Sequence, residues 1–137
     1  MLISEINRIF GLSSHSHIII KDPRITILAP LYIKTLTEMG FDLRVIFIDR
    51  NFHDICESLD RAQSYMFERI SAKNKIKICE KYKKLGTEIA TYHDKFLYID
   101  FHKFIKGDQE ILDNIENFIE EKLDPISIDS FIHNHQL

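Results

Sequence analysis

Short apolar runs separated by stretches of helical periodicity organise this chain. Three runs rich in β-branched and aromatic residues predict buried strands near residues 17–21, 43–49 and 95–99. Elsewhere, apolar residues return at helical spacing. That spacing predicts helices over residues 2–10, 24–39, 54–63 and 72–92, and a last helix that is capped by Asp108. Strands that alternate with helices predict an α/β fold, with a three-stranded parallel sheet covered by helices and joined by right-handed crossovers.

Glycine and proline residues mark the ends of these elements. Gly40 follows the second helical pattern and predicts its end. Asp22 and Pro23 end the first strand, because proline donates no backbone hydrogen bond and restricts the residue before it. Pro30 lies inside the second helical pattern and predicts either a kink or a later start of that helix. The chain contains no internal repeat or linker, so we expect a single domain over residues 1–137.

Composition narrows the class of protein. The 137 residues are 45% hydrophobic and 28% charged, which is ordinary for a domain with a core. A net charge of -3 argues against non-specific binding to nucleic acid. No apolar run has the roughly 18 to 20 residues of a membrane span. Cys56 and Cys79 are too few for a disulfide framework, and we expect free thiols in a cytoplasmic protein.

Charged residues follow two of the predicted strands. Lys21, Asp22 and Arg24 follow the first, and Arg50 follows the second. Because open parallel sheets bind ligands at the carboxyl ends of their strands, both places are candidate sites. Ser58 comes eight positions after Arg50 on the following helix. An arginine fork, a hydroxyl and a helix N-terminus can bind one anion together.

Structural roles for the same residues stay open. Arg50 can pair with Asp49 or Asp54, and Ser58 can face a neighbouring helix. The spacing of the histidines favours exposed side chains and no metal site. His53 is the exception, as a possible neighbour of a bound phosphate.

Three segments resemble sulfotransferases. They are I-I-I-K-D-P-R at 18–24, V-I-F-I-D-R-N-F-H-D-I-C-E-S-L at 45–59 and F-L-Y-I-D-F-H-K-F at 96–104. The family pattern is a strand, then Arg-Asn-Pro, then a serine eight residues after the arginine. The resemblance implies that Arg50 and Ser58 hold the 3′-phosphate of 3′-phosphoadenosine-5′-phosphosulfate (PAPS). Phe52 stands where the pattern has proline, and His102 stands where an acid is common.

The resemblance also implies a reaction and a fold. It implies a P-loop-nucleotide-transferase-like sheet and transfer of a sulfuryl group to a hydroxyl or amine of a small molecule or glycan. Lys21 and Asp22 would be catalytic, and Arg24 would bind the acceptor; alternatively, Asp22 only caps the following helix. The family's first strand and 5′-phosphosulfate loop have no counterpart in residues 1–17, which implies an N-terminally truncated sulfotransferase-like domain.

Two alternatives to catalysis remain. One is a pseudoenzyme that retains a 3′-phosphate pocket, and the other is an oligomerising α/β binding module. An exposed sheet edge predicts self-association, or a partner chain that completes the sheet.

Overall fold

The computed structural model of the protein describes residues 19–22, 24–61 and 70–129, and shows a mixed α/β fold. Five helices in these ranges are α1 (Ile25–Glu38), α2 (Phe52–Arg61), α3 (Ala72–Glu88), α4 (Phe101–Ile105) and α5 (Gln109–Ile119). Two strands are β1 (Val45–Asp49) and β2 (Phe96–Asp100). A 3₁₀ turn, Ile89–Thr91, continues α3, and residues 125–129 are also helical. The predicted helix at 2–10 lies outside the described residues.

The chain divides into two compact units, Met1–Leu43 and Arg44–Leu137. The first unit contains α1, and the second contains the sheet and the other helices. The expectation of one domain over residues 1–137 stays a prediction.

In the first unit, α1 ends where its sequence predicts. Gly40 has a φ of 86°, which glycine adopts without strain. The amide of Phe41 donates to the carbonyl of Leu36 at 3.1 Å, and the amide of Gly40 donates to that of Thr37 at 2.9 Å. This pair of bonds is a Schellman motif, which satisfies two terminal carbonyls. Pro30 lies inside the helix, so the later start that it allowed is not found.

In the second unit, β1 and β2 pair in parallel, from Val45 opposite Phe96 to Asp49 opposite Asp100. The prediction of parallel strands is therefore confirmed for the second and third apolar runs. The predicted strand at 17–21 is wrong in its described part, because Ile19 to Lys21 form no strand and Ile19 is 94% exposed. A β-branched run favours extended backbone, but a strand also needs a neighbour for its amides and carbonyls. His17 and Ile18 lie outside the described residues.

Helix α3 covers one face of this sheet. In a parallel pair, residues in register share a face, so Phe47 lies beside Phe96 and Tyr98. Its ring centroid is 6.5 Å from that of Phe96 and 6.1 Å from that of Tyr98. Gly86 of α3 is buried against the Phe47 ring. On the opposite face Ile99 is 5% exposed, and α5 packs on β2.

Candidate site at the carboxyl ends of the strands

The two strands end side by side, and each is followed at once by a helix. Asp49 is in register with Asp100 at the carboxyl ends. Helix α2 begins at Phe52, and α4 begins at Phe101. Asp100 caps α4 by accepting a hydrogen bond from the backbone amide of Lys103 at 3.1 Å. The edge that the sequence predicts as a ligand site therefore exists, and two short turns supply its side chains.

The negative charge of Asp49 is balanced by neighbouring groups at this end of the sheet. Lys83 of α3 places its Nζ 2.6 Å from Oδ2 of Asp49, and the hydroxyl of Tyr98 donates to the same oxygen. Burial opposes ionisation of Asp49, but these hydrogen bonds outweigh it and lower its pKa. The bond to Asp49 also raises the pKa of Tyr98 to about 12. These three groups tie the end of β1 to α3 and β2, which is a structural role.

Arg50 is packed but only partly satisfied. The carbon at the centre of its guanidinium lies 4.7 Å from the centroid of the Phe101 ring, within cation–π range. Its Nε is 3.7 Å from Oδ2 of Asp54, which is an ion-pair distance but too long for a hydrogen bond. This Nε is inaccessible to solvent and has no hydrogen-bond partner in the described part of the chain. The pairing with Asp54 left open by the sequence is present, yet it does not satisfy the guanidinium.

Asn51, Asp54 and His102 form a linked group beside Arg50. Oδ1 of Asn51 accepts from the backbone amide of Asp54 at 2.9 Å, which satisfies one free amide in the first turn of α2. Nδ2 of Asn51 lies 2.8 Å from Nε2 of His102. The same Nε2 lies 3.1 Å from Oδ2 of Asp54. The sequence alone does not bring Asn51, Asp54 and His102 into one site, because only the cap spacing from Asn51 to Asp54 is a local pattern.

Ser58 lies on α2 and is exposed. No hydrogen bond joins Ser58 to Arg50 among the described residues. Their predicted convergence on one anion stays a prediction. His53 is 78% exposed, with Nδ1 at 3.7 Å from Glu57 Oε1 and 3.9 Å from Asp54 Oδ1.

The first predicted site lies in the first unit, just before α1. Lys21 and Arg24 are exposed there. Oδ1 of Asp22 accepts from the backbone amide of Arg24 at 2.8 Å, and the Arg24 side chain binds both carboxylate oxygens. These hydrogen bonds lower the pKa of Asp22 to about 2. The N-cap of α1 is Arg24, which receives no side-chain cap hydrogen bond, so the capping role that the sequence left open for Asp22 is not found; its carboxylate instead binds the residue just before the helix. A carboxylate with so low a pKa is a weak base, and it is therefore poorly matched to proton abstraction at neutral pH.

Other potential sites are few in the described ranges. No group of three or more His, Cys, Asp and Glu residues there is placed to hold a metal ion. No described helix combines the length and hydrophobicity needed to cross a membrane. An open depression of about 240 Å³ is lined by Glu116, Asn117, Glu120, Glu121 and Lys122, none of which was a predicted site residue.

Comparison with known proteins adds no relative. No family model matches the chain, and neither a curated protein nor a solved structure matches it. The resemblance to sulfotransferases therefore depends on the residues at 18–24, 45–59 and 96–104.

Proposed function

We propose that this protein is sulfotransferase-like and binds the 3′-phosphate end of PAPS at the carboxyl ends of β1 and β2. In this proposal Arg50 is the main phosphate ligand and Ser58 is a second donor. The two parallel strands belong to a P-loop-nucleotide-transferase-like sheet in a cytoplasmic protein. Sulfuryl transfer to a hydroxyl or amine of a small molecule or glycan requires a 5′-phosphosulfate loop in addition.

The state of Arg50 carries the proposal. The guanidinium of Arg50 at the end of β1 lies within cation–π distance of the Phe101 ring, and its buried Nε has no hydrogen bond in the described residues. Leaving a buried donor unsatisfied costs about 1–3 kcal/mol, and a bound anion would remove that cost once the Arg50 side chain turns its Nε towards the anion. The N-terminus of α2 begins two residues later and adds backbone amides with a favourable dipole.

The test is calorimetric titration with 3′,5′-adenosine bisphosphate and, in parallel, with 5′-AMP. The two ligands differ by the 3′-phosphate, so native protein should bind the bisphosphate more tightly. Arg50→Ala should lose about 10- to 100-fold of that affinity, because hydrogen bonds to a charged group contribute about 1.5–3 kcal/mol. Arg50→Lys should recover only part of it, since lysine lacks the two-pronged donor.

Arg61→Ala is the matched control, because Arg61 is an exposed arginine at the other end of α2. It removes the same charge from the same helix and should leave binding unchanged. Equal binding of both nucleotides, or equal losses in Arg50→Ala and Arg61→Ala, would remove Arg50 from the site. Sulfate transfer from PAPS by this chain alone would show that no further loop is needed.

An oligomerising module is a second candidate, and one observation favours it. Strand β1 exposes Ile46 at 39% and Ile48 at 57%. A two-stranded sheet also leaves one edge of β1 unpaired among the described strands. If this surface associates, light scattering should show a concentration-dependent mass that Ile48→Lys reduces. A monomer at all concentrations would exclude this candidate.

A further inference from the structure

We propose that Asp54 competes with bound anions for Arg50, and that protonation of His102 draws Asp54 away, so that the site binds anions more tightly as the pH falls. This inference rests on the proposed function, because it concerns the same arginine. It adds a proton-controlled internal competitor that decides when the arginine is available.

One carboxylate oxygen is shared between the two cations. Oδ2 of Asp54 is 3.1 Å from Nε2 of His102 and 3.7 Å from Nε of Arg50. The first distance permits a hydrogen bond and the second does not. The carboxylate of Asp54 therefore lies closer to His102 than to Arg50, and the protonation state of the His102 ring decides whether the closer contact is attractive.

The orientation of Asn51 sets the proton position on the neutral ring. The backbone amide of Asp54 needs an acceptor, so Oδ1 of Asn51 faces it at 2.9 Å. Nδ2 of Asn51 must then face His102, where it donates to Nε2 at 2.8 Å. The neutral ring consequently carries its proton on Nδ1. In that state Nε2 and Asp54 Oδ2 are both acceptors, and Arg50 is the favourable partner of the carboxylate.

Protonation reverses these preferences. A charged His102 carries a proton on Nε2 and donates it to Asp54, a charge-assisted hydrogen bond. Arg50 then loses its competitor and is free to bind an anion. The Nδ2 group of Asn51 faces a donor in this state and has to turn. The side-chain amide of Asn51 should therefore report the change.

Other charged groups face the same carboxylate. His53 places Nδ1 3.9 Å from Oδ1 of Asp54, and Glu57 lies 3.7 Å from that nitrogen. His53 is a second histidine beside this carboxylate, and its side chain is 78% exposed. Lys103 is a cationic side chain that follows His102 on α4. A test must therefore separate the two histidines.

Binding of 3′,5′-adenosine bisphosphate is measured by calorimetry from about pH 8 to about pH 5.5, which spans histidine titration. The ligand's own phosphates also titrate, but equally for every variant. Relative to His102→Gln, native protein should gain about two- to fivefold in affinity across this range, as expected for a partly exposed ion pair. His53→Gln should keep the native gain across this range. Asp54→Asn should bind tightly, with no gain beyond that of His102→Gln.

Proton uptake gives a second readout. Titrations near pH 6.5 in two buffers of different ionisation enthalpy should show more proton uptake by native protein than by His102→Gln. A pH dependence that is the same in both, with Arg50→Ala still weakening binding, would overturn the inference and leave the proposed function intact. If Arg50→Ala leaves the nucleotide affinity unchanged at every pH, the proposed function itself is overturned.

The unliganded protein provides a test that needs no nucleotide. Nitrogen NMR of the His102 ring should show the Nδ1-protonated form when neutral, and the Asn51 side-chain amide should shift with the same midpoint as the ring. A neutral ring protonated on Nε2 would overturn the inference whatever the ligand does. His102→Gln should abolish the pH-dependent shift of the Asn51 amide, whereas His53→Gln should keep it.

Discussion

Gly86 is where α3 comes closest to the sheet, and replacing it by alanine tests the packing that positions the strand ends. An added Cβ would lie 2.1 Å from Cε2 of Phe47, 2.5 Å from Cδ2 and 2.8 Å from Cζ. The ring cannot retreat freely, because its other neighbours are the rings of Phe96 and Tyr98. The helix, the ring or both must therefore shift.

Two opposite effects decide the result. In an unhindered helix interior, glycine to alanine stabilises by about 1 kcal/mol. Overpacking a well-filled interior costs about 1–3 kcal/mol. We therefore expect Gly86→Ala to lower the free energy of unfolding by up to roughly 2 kcal/mol, measured by urea denaturation and circular dichroism with an unchanged m value.

A smaller residue at the facing position supplies the control. In a Phe47→Leu background, space opens beside Gly86, so Gly86→Ala should be neutral or stabilising. The double-mutant cycle should give a coupling of about 1 kcal/mol or more. If Gly86→Ala raises the stability of native protein by its full helix propensity, the close approach of α3 to β1 is wrong.

Three further predictions concern single side chains. Asn51→Ala should lower the free energy of unfolding by about 1 kcal/mol in urea titration, because α2 loses its cap. Asn51→Asp should keep the cap and the stability, and equal losses in the two variants would contradict this role. Burial opposes ionisation of Asp49, but its hydrogen bonds have the larger effect, so its pKa is lowered on folding. The ionised carboxylate therefore stabilises the folded state above about pH 4, and this stabilisation is lost as the pH falls through the lowered pKa. Asp49→Asn should flatten this acid limb, and an unchanged limb would refute the assignment. The pKa of about 12 for Tyr98 should fall towards about 10 in Asp49→Asn, as followed by ultraviolet absorbance. Because folding raises this pKa, the hydrogen bond of Tyr98 stabilises the folded state fully below about pH 10, and the stabilisation is lost as the pH rises through about 12. No change in the tyrosine titration would contradict the hydrogen bond.

Local chemistry explains why several elements were predictable. The Schellman motif at Gly40 and the cap of α5, where Asp108 accepts from the amide of Glu110 at 3.1 Å, involve neighbours a few residues apart. Five apolar positions of the third helical pattern were predicted to face inward, and the outcome is mixed. Cys79 and Ile89 are buried, Tyr82 and Leu85 are half-buried, and Ile76 is 43% exposed. The same reasoning predicted a strand at the first apolar run, but its described residues, Ile19 to Lys21, form no strand. Apolar composition alone therefore does not determine whether a segment pairs into a sheet.

The sequence by itself determined the end of α1 at Gly40 and the cap of α5 at Asp108. It also determined the two apolar runs that became β1 and β2, and the presence of Arg50 at a strand end. Each depends on hydrogen bonds or side-chain preferences within a few residues. Tertiary structure decided what surrounds that arginine, because the parallel register brings α4 beside α2. His102 meets Asn51 across 51 positions of sequence, and Phe101 reaches Arg50 through the same pairing. Such contacts arise from strand pairing between distant segments, which leaves no periodic signal in either one.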